Sequence, residues 1–143
     1  MSTSKKLEIN KISDVERLKI VHAIRHEVFV EGQNCPAELE YANEDESVHF
    51  LATVNGIPAG ACRWRKTDNG YKLERFAVLN DFRGMGVGQQ MVKTVLDDLP
   101  EDAEYIYLNS QLDAVTLYEK FGFVKEGAEF TEAGIRHYKM VKV

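Results

Sequence analysis

Residues 73–99, LERFAVLNDFRGMGVGQQMVKTVLDDL, decide how this chain is read. A strand-like run, LERFAV, is followed by a helical one in which Met91, Val92, Val95, Leu96 and Leu99 share a face. Between them lies Arg83-Gly84-Met85-Gly86-Val87-Gly88. The helix is predicted from about Val87 to Leu99, with Pro100 just past its end. The first amides of a helix lack internal acceptors and sit at the positive end of its dipole. Glycines let an anion approach such amides without a Cβ in the way, so the loop is predicted to cradle a phosphate or pyrophosphate. Arg83 adds a charged donor at the mouth.

Two well-known phosphate loops do not fit. A Walker loop needs Gly-Lys-Ser/Thr, and no such triplet follows. A dinucleotide fingerprint is Gly-x-Gly-x-x-Gly at the first strand–helix turn, whereas Gly84-x-Gly86-x-Gly88 comes after several strands. On the loop alone, a tight strand-to-helix turn without a ligand stays open.

Upstream, KLEINKI reads as a short strand. Ser13 opens SDVE, a capping box with Glu16, and Val15, Leu18, Val21, Ile24 and Val28 form one apolar stripe. This first helix is expected to reach about Phe29. The acidic stretch PAELEYANEDES reads as a surface loop. HFLATV, AGACRWRKT and YKLERFAV then form an antiparallel meander. Asn55-Gly56 is the turn of its first hairpin, which Pro58 is expected to lengthen. Downstream, EYIYLNS is a strand and DAVTLYEKF a short helix stopped by Gly122. FVKEG and IRHYKMVKV are the last two strands.

The 143 residues fit one α/β domain spanning 1–143. A net charge of −5 argues against a general nucleic-acid binder, which carries a basic patch. No apolar run is long enough to span a membrane, and no secretory signal follows Lys5 and Lys6, so a cytoplasmic location is the expectation. Cys35 and Cys62 are the only cysteines, too few for a disulfide scaffold or zinc cluster. His22 and His26 lie one helical turn apart without a further ligand nearby, so no metal is expected.

Arg-x-x-Gly-x-Gly after a strand ending in Ala77-Val78 resembles the acetyl-CoA loop of the GNAT superfamily of N-acetyltransferases. NSQLDAVTLYEKFGFV is similar to that fold's second half, and the order of elements matches from residue 5 to 143. RHEVFVEGQNCP, LERFAV and EAGIRHYKM resemble its small, ElaA-like bacterial branch, which defines no acceptor. The resemblance implies a mixed sheet of about six or seven strands, flanked by helices and splayed around a CoA site.

It also implies roles. The amides of Arg83, Gly84, Met85, Gly86, Val87, Gly88 and Gln89 would hold the pyrophosphate of CoA. The backbone of Phe76, Ala77 and Val78 would pair with the pantetheine arm, and Asn109 and Ser110 would bond its amides. A strand amide near Val78 would stabilise the tetrahedral intermediate of direct attack in a ternary complex. Tyr118 would protonate the departing thiolate, since a phenol near ~10 can donate to a thiolate near ~8.5. A half-buried aromatic packing role is the alternative. A lysine-like amine is deprotonated about once in a thousand molecules at neutral pH, a cost of roughly 4–5 kcal/mol, so a base, or a pocket that lowers the amine pKa, is expected. Glu74 is the first candidate, on the face of its strand opposite Arg75; an ion-paired or solvated carboxylate is the alternative.

His26, Glu27, Glu31, His49 and His137 are further candidates on the acceptor side. Arg63 and Arg65 are expected at solvated surface or facing an acidic substrate, and no neighbour activates Cys35. The expected acceptor is a small-molecule or peptide amine, and the acidic residues 38–46 would favour a cationic one. The C-terminal strand offers an edge for a homodimer. A module that binds CoA or acyl-CoA without transferring it is the rival function, and a nucleotide-binding protein a second.

Overall fold

The computed structural model describes residues 6–33 and 44–143. Asn55 and Gly56 adopt left-handed backbone angles, φ 53° and 80°, and join β2 (Ser47–Val54) to β3 (Ile57–Lys66) in a two-residue turn. The turn is tight despite Pro58. The irregularity falls within the strands: Thr53 faces Pro58 and Ala52 faces Gly60, leaving Ala59 bulged. A bulge suits a residue that has no N–H for the ladder.

β4 (Tyr71–Val78) completes the meander on β3, and β1 (Leu7–Ile12) lies antiparallel on the other side of β2. α1 (Val15–Arg25) follows β1 and widens into a π-helical turn over His26–Glu31. Its cap is Asp14 rather than Ser13: the Asp14 carboxylate accepts the Arg17 amide at 3.0 Å. The apolar stripe also begins later than predicted. Val15 is 65% exposed, while Val21, Ile24 and Val28 are buried.

The glycine loop leads into α2 (Val87–Asp98), followed by β5 (Ile106–Gln111), the short α3 (Val115–Glu119) and β6 (Phe123–Lys125). Gly122, just beyond α3, has φ 89°, a backbone angle that suits glycine. β7 (Phe130–Glu132) and β8 (Ile135–Lys142) end the chain. β7 is a strand that the sequence does not announce. It turns into β8 through Ala133 and Gly134, at φ 51° and 77°.

The strands form one mixed sheet in the order β1-β2-β3-β4-β5-β8-β6, with β7 also on β8. β8 is therefore interior, flanked by β5 on one side and by β6 and β7 on the other. It cannot supply the dimer edge expected of it.

Both faces of the sheet are covered, which explains why β2 reads as a continuous apolar run rather than an alternating one. Phe50, Ala52 and Val54 point into a core with Met91, Val92 and Val95 of α2. Leu51 points the other way, to a second core with Val21 and Ile24 of α1 and with Ala61 and Ala77. Among the described residues, no helix is long and apolar enough to cross a membrane.

Candidate active site

β4 and β5 are joined over only three residue pairs. Tyr71, Lys72 and Leu73 face Ile106, Tyr107 and Leu108 in parallel, and there the ladder stops. Beyond Leu73, β4 bulges against β3: Glu74 faces Arg63 and Ala77 faces Ala61, so Arg75 and Phe76 together oppose Cys62. Arg75 has φ 59°, a left-handed angle that costs a non-glycine residue on the order of 1 kcal/mol. This bulge turns β4 away from β5 as splayed strands require. Glu74 and Arg75 are both among the residues that line the hollow beside it.

That hollow is a cavity of about 440 Å³. Phe76 and Val78 of β4 and Asn109 and Gln111 of β5 form its two sides, and Val28 and Phe29 of the π-helical turn close it from the α1 side. Gln33 and Gln111 exchange amide hydrogen bonds of 3.2 and 2.8 Å across the opening. Among the described residues, the β4 backbone from Glu74 to Val78 has no strand partner on its β5 side. It can take an extended amide chain as an added strand. Ala77 supplies only backbone there, since its methyl lies in the α1 core.

The glycine loop sits at the end of β4. Gly84 and Gly86 have φ 78° and 81°, and among the described residues no atom lies within 4 Å of where a Cβ would be on either. The loop surface is thus open, and glycine is required there by backbone angle rather than by space. The first i→i−4 bond of α2 runs from the Gln90 amide to Gly86 at 3.0 Å. The amides of Val87, Gly88 and Gln89 accordingly have no acceptor within the helix. Arg83 differs from the expectation: its own amide donates to the Asn80 carbonyl at 3.3 Å. Its side chain does the work instead, with Nε on the Val78 carbonyl at 3.1 Å and the guanidinium at the cavity wall. An open nest of amides beside a held guanidinium fits a diphosphate.

Tyr118 of α3 lines the cavity and is 7% exposed. Its ring meets Phe76 and Phe123 edge-on, at 6.0 and 6.1 Å between centroids. Burial pushes its phenol well above the ordinary tyrosine range, so it keeps its proton at neutral pH.

Glu74 is not a free base. Oε1 lies 2.8 Å from Arg65 Nε and 3.1 Å from Arg63 Nη2, and Oε2 lies 3.1 Å from Lys72 Nζ. Burial opposes its charge, but Arg63, Lys72 and Arg65 outweigh it and hold the carboxyl at about 2. Such a group is a poor proton acceptor. Arg63 and Arg65 are correspondingly not solvated: Arg63 is fully buried and also donates to Glu44 at 2.7 Å. Glu44 is bound by Arg25 at 2.5 Å and His22 at 2.8 Å as well, so this member of the acidic stretch is internal. Residues 38–43 and Cys35 lie outside the described residues.

On β5, Asn109 and Gln111 face the cavity while Ser110 is buried, its hydroxyl donating to the Gln111 carbonyl at 2.8 Å. Strand alternation makes Gln111, not Ser110, the partner of Asn109, a signal that was available in the sequence. Among the acceptor-side candidates, His137 lines this cavity and Glu27 a smaller adjoining hollow. His49 is turned to the Glu44 carbonyl at 3.1 Å, and His26 and Glu31 pair with each other at 3.5 Å.

Comparison with known proteins identifies the family and the fold. Residues 10–143 match the family of acetyltransferase (GNAT) domains. The chain is 43% identical over 131 residues to YjcF of Bacillus subtilis, named an uncharacterized N-acetyltransferase, covering 89% of this chain and 93% of that one. Its fold is similar to Escherichia coli ElaA, with TM-score 0.82 at 25% identity, over 96% of this chain and 100% of ElaA. It is equally similar to an acyl-CoA N-acyltransferase from Pseudomonas aeruginosa, with TM-score 0.83 at 24% identity, over 98% and 100% of the two chains. With the splayed strands, the bulge and the glycine loop in place, the chain belongs to the GNAT acetyltransferase family.

Proposed function

We propose that this protein transfers the acetyl group of acetyl-CoA to a primary amine, by direct attack in a ternary complex. The observation that carries the proposal is the continuity of one cavity: it runs along the unpartnered stretch of β4, reaches Tyr118, and has Arg83 in its wall beside the open amides of the glycine loop. Bound there, acetyl-CoA supplies an activated acyl carbon and a sulfur leaving group.

The chain's own residues do the rest. The amides of residues 84–89 and the Arg83 guanidinium hold the diphosphate. The backbone of Phe76–Val78 and the side chain of Asn109 orient the pantetheine arm. A β4 amide near Val78 donates to the oxygen on which charge develops. Tyr118, kept protonated by burial, gives its proton to the departing sulfur. Glu74 fixes the cations around the bulge and so holds β4 in its splayed course. The site would operate in the cytoplasm, where acetyl-CoA is available.

The test has two arms. CoA should raise the melting temperature by mass action while ATP does not. Acetyl-CoA with a panel of primary amines should then release free thiol. A CoA-dependent shift without thiol release from any amine would leave a binding module in place of an enzyme.

A further inference from the structure

The proposed transfer needs a proton acceptor for the amine, and Glu74 is held by three cations. A different side chain meets the requirement. His137 of β8 stands opposite Gln111 of β5, in the wall of the same cavity, and is 7% exposed. Its Nδ1 lies 2.7 Å from the Ile135 carbonyl oxygen. A carbonyl oxygen only accepts, so Nδ1 carries the hydrogen and Nε2 is the lone-pair nitrogen of the neutral ring. Phe130 stacks on the imidazole with 5.7 Å between centroids and 21° between planes, which fixes the plane of the ring. Glu132 Oε2 lies 3.9 Å from Nε2, beyond hydrogen-bond reach, so its carboxylate faces that nitrogen without occupying it.

We infer that Nε2 of His137 takes the proton of the acceptor ammonium, with Glu132, whose carboxylate faces that nitrogen, as a positioning residue. Both lie on the β7–β8 hairpin, in the same cavity wall. The inference rests on the amine-acetylation reading above. The acceptor nitrogen gives up two protons in all. One passes to Nε2 and from there to water. The other leaves as the C–N bond forms and the C–S bond breaks; it ends, by way of Tyr118, on the CoA sulfur. The electron pair of the C–S bond stays with that sulfur, so charge and protons balance.

The experiment compares two acceptors, n-butylamine, which is protonated at neutral pH, and hydroxylamine, which is not. With His137→Gln, kcat for n-butylamine should fall about 100-fold, while that for hydroxylamine falls less than about 10-fold. The CoA-induced melting shift should stay unchanged. Imidazole added to His137→Ala should restore n-butylamine turnover in part. Glu132→Gln, at a half-exposed position, should show the same preference more weakly. Equal losses for both amines, or none, would overturn the role of His137 while leaving the transfer itself intact. A wild type that binds CoA yet is inert to both amines would overturn the transfer reading. Nitrogen-15 NMR of the wild-type ring decides the histidine without any acceptor: an Nδ1–H tautomer with a bare Nε2 is expected, and the opposite tautomer would sink the inference.

Discussion

Leu73 of β4 and Leu108 of β5 form the last parallel pair before the two strands part. Each is 2% exposed, and each belongs to the core packed under α2. The floor of the cavity is thus also part of the main core, and the width of the cleft above it is tied to core packing. Leu108→Ala should lower stability by about 3 kcal/mol, in the range for a buried leucine whose site cannot fully collapse. Urea unfolding monitored by circular dichroism checks this. A loss below about 1 kcal/mol would mean that the floor relaxes freely.

Glu74 gives a prediction with a pH signature. Its carboxyl is held at about 2 against an ordinary 4.5, so the folded state favours the charged form. A depressed carboxyl contributes stability above its unfolded value and loses it as pH falls through the folded value. The contribution is about 3 kcal/mol at neutral pH, disappearing between roughly pH 4.5 and pH 2. Glu74→Gln should remove a similar amount at pH 7, because Arg63 is left buried beside a neutral amide. Urea midpoints at pH 7, 4 and 2.5 should show a steep acid loss in the wild type and a shallower one in the variant. Parallel pH profiles would refute the assignment.

The glycines of the loop are not equivalent. Gly86, at φ 81°, caps α2 in a left-handed conformation, so Gly86→Ala should destabilise by about 1 kcal/mol through backbone strain. The CoA-induced melting shift should shrink with it, as the following amides tilt. At Gly88 a Cβ would stand 3.5 Å from Leu117 Cδ2, an ordinary contact. Gly88→Ala should therefore leave stability equal or raise it by up to about 1 kcal/mol. Differential scanning calorimetry of the two variants, with and without CoA, separates backbone strain from loss of the cradle.

What the sequence makes legible is what is encoded locally. Asn55-Gly56 specifies its own turn, and Met91, Val92 and Val95 specify the buried face of α2 within a few residues. Asp14 replaces Ser13 as cap with a shift of only one position. The bulge at Arg75 has no such signature, because an arginine at φ 59° is imposed by its neighbours in the sheet. Glu74 precedes that bulge and shares a face with Lys72 by simple alternation; what local sequence does not give is the cross-strand register that sets Arg63 and Arg65 of β3 against it. β7 was hidden because Ala133-Gly134 makes a left-handed turn without asparagine or aspartate. The interior place of β8 is a matter of long-range pairing, which no window of sequence contains.

Tyr118 is the sharpest test of the chemistry. Its ring packs edge-on against Phe76 and Phe123, contacts that phenylalanine keeps. Tyr118→Phe should therefore leave the fold and the CoA-induced melting shift close to those of the wild type. Removing the hydroxyl takes away the proton for the departing sulfur, and kcat should fall about 100-fold, the lower end for a positioned general acid. KM for acetyl-CoA should change little, because the diphosphate and pantetheine contacts lie elsewhere. Steady-state thiol release with a fixed amine measures both constants. A loss confined to KM would assign Tyr118 to binding, and an unchanged kcat in a folded variant would remove it from the reaction.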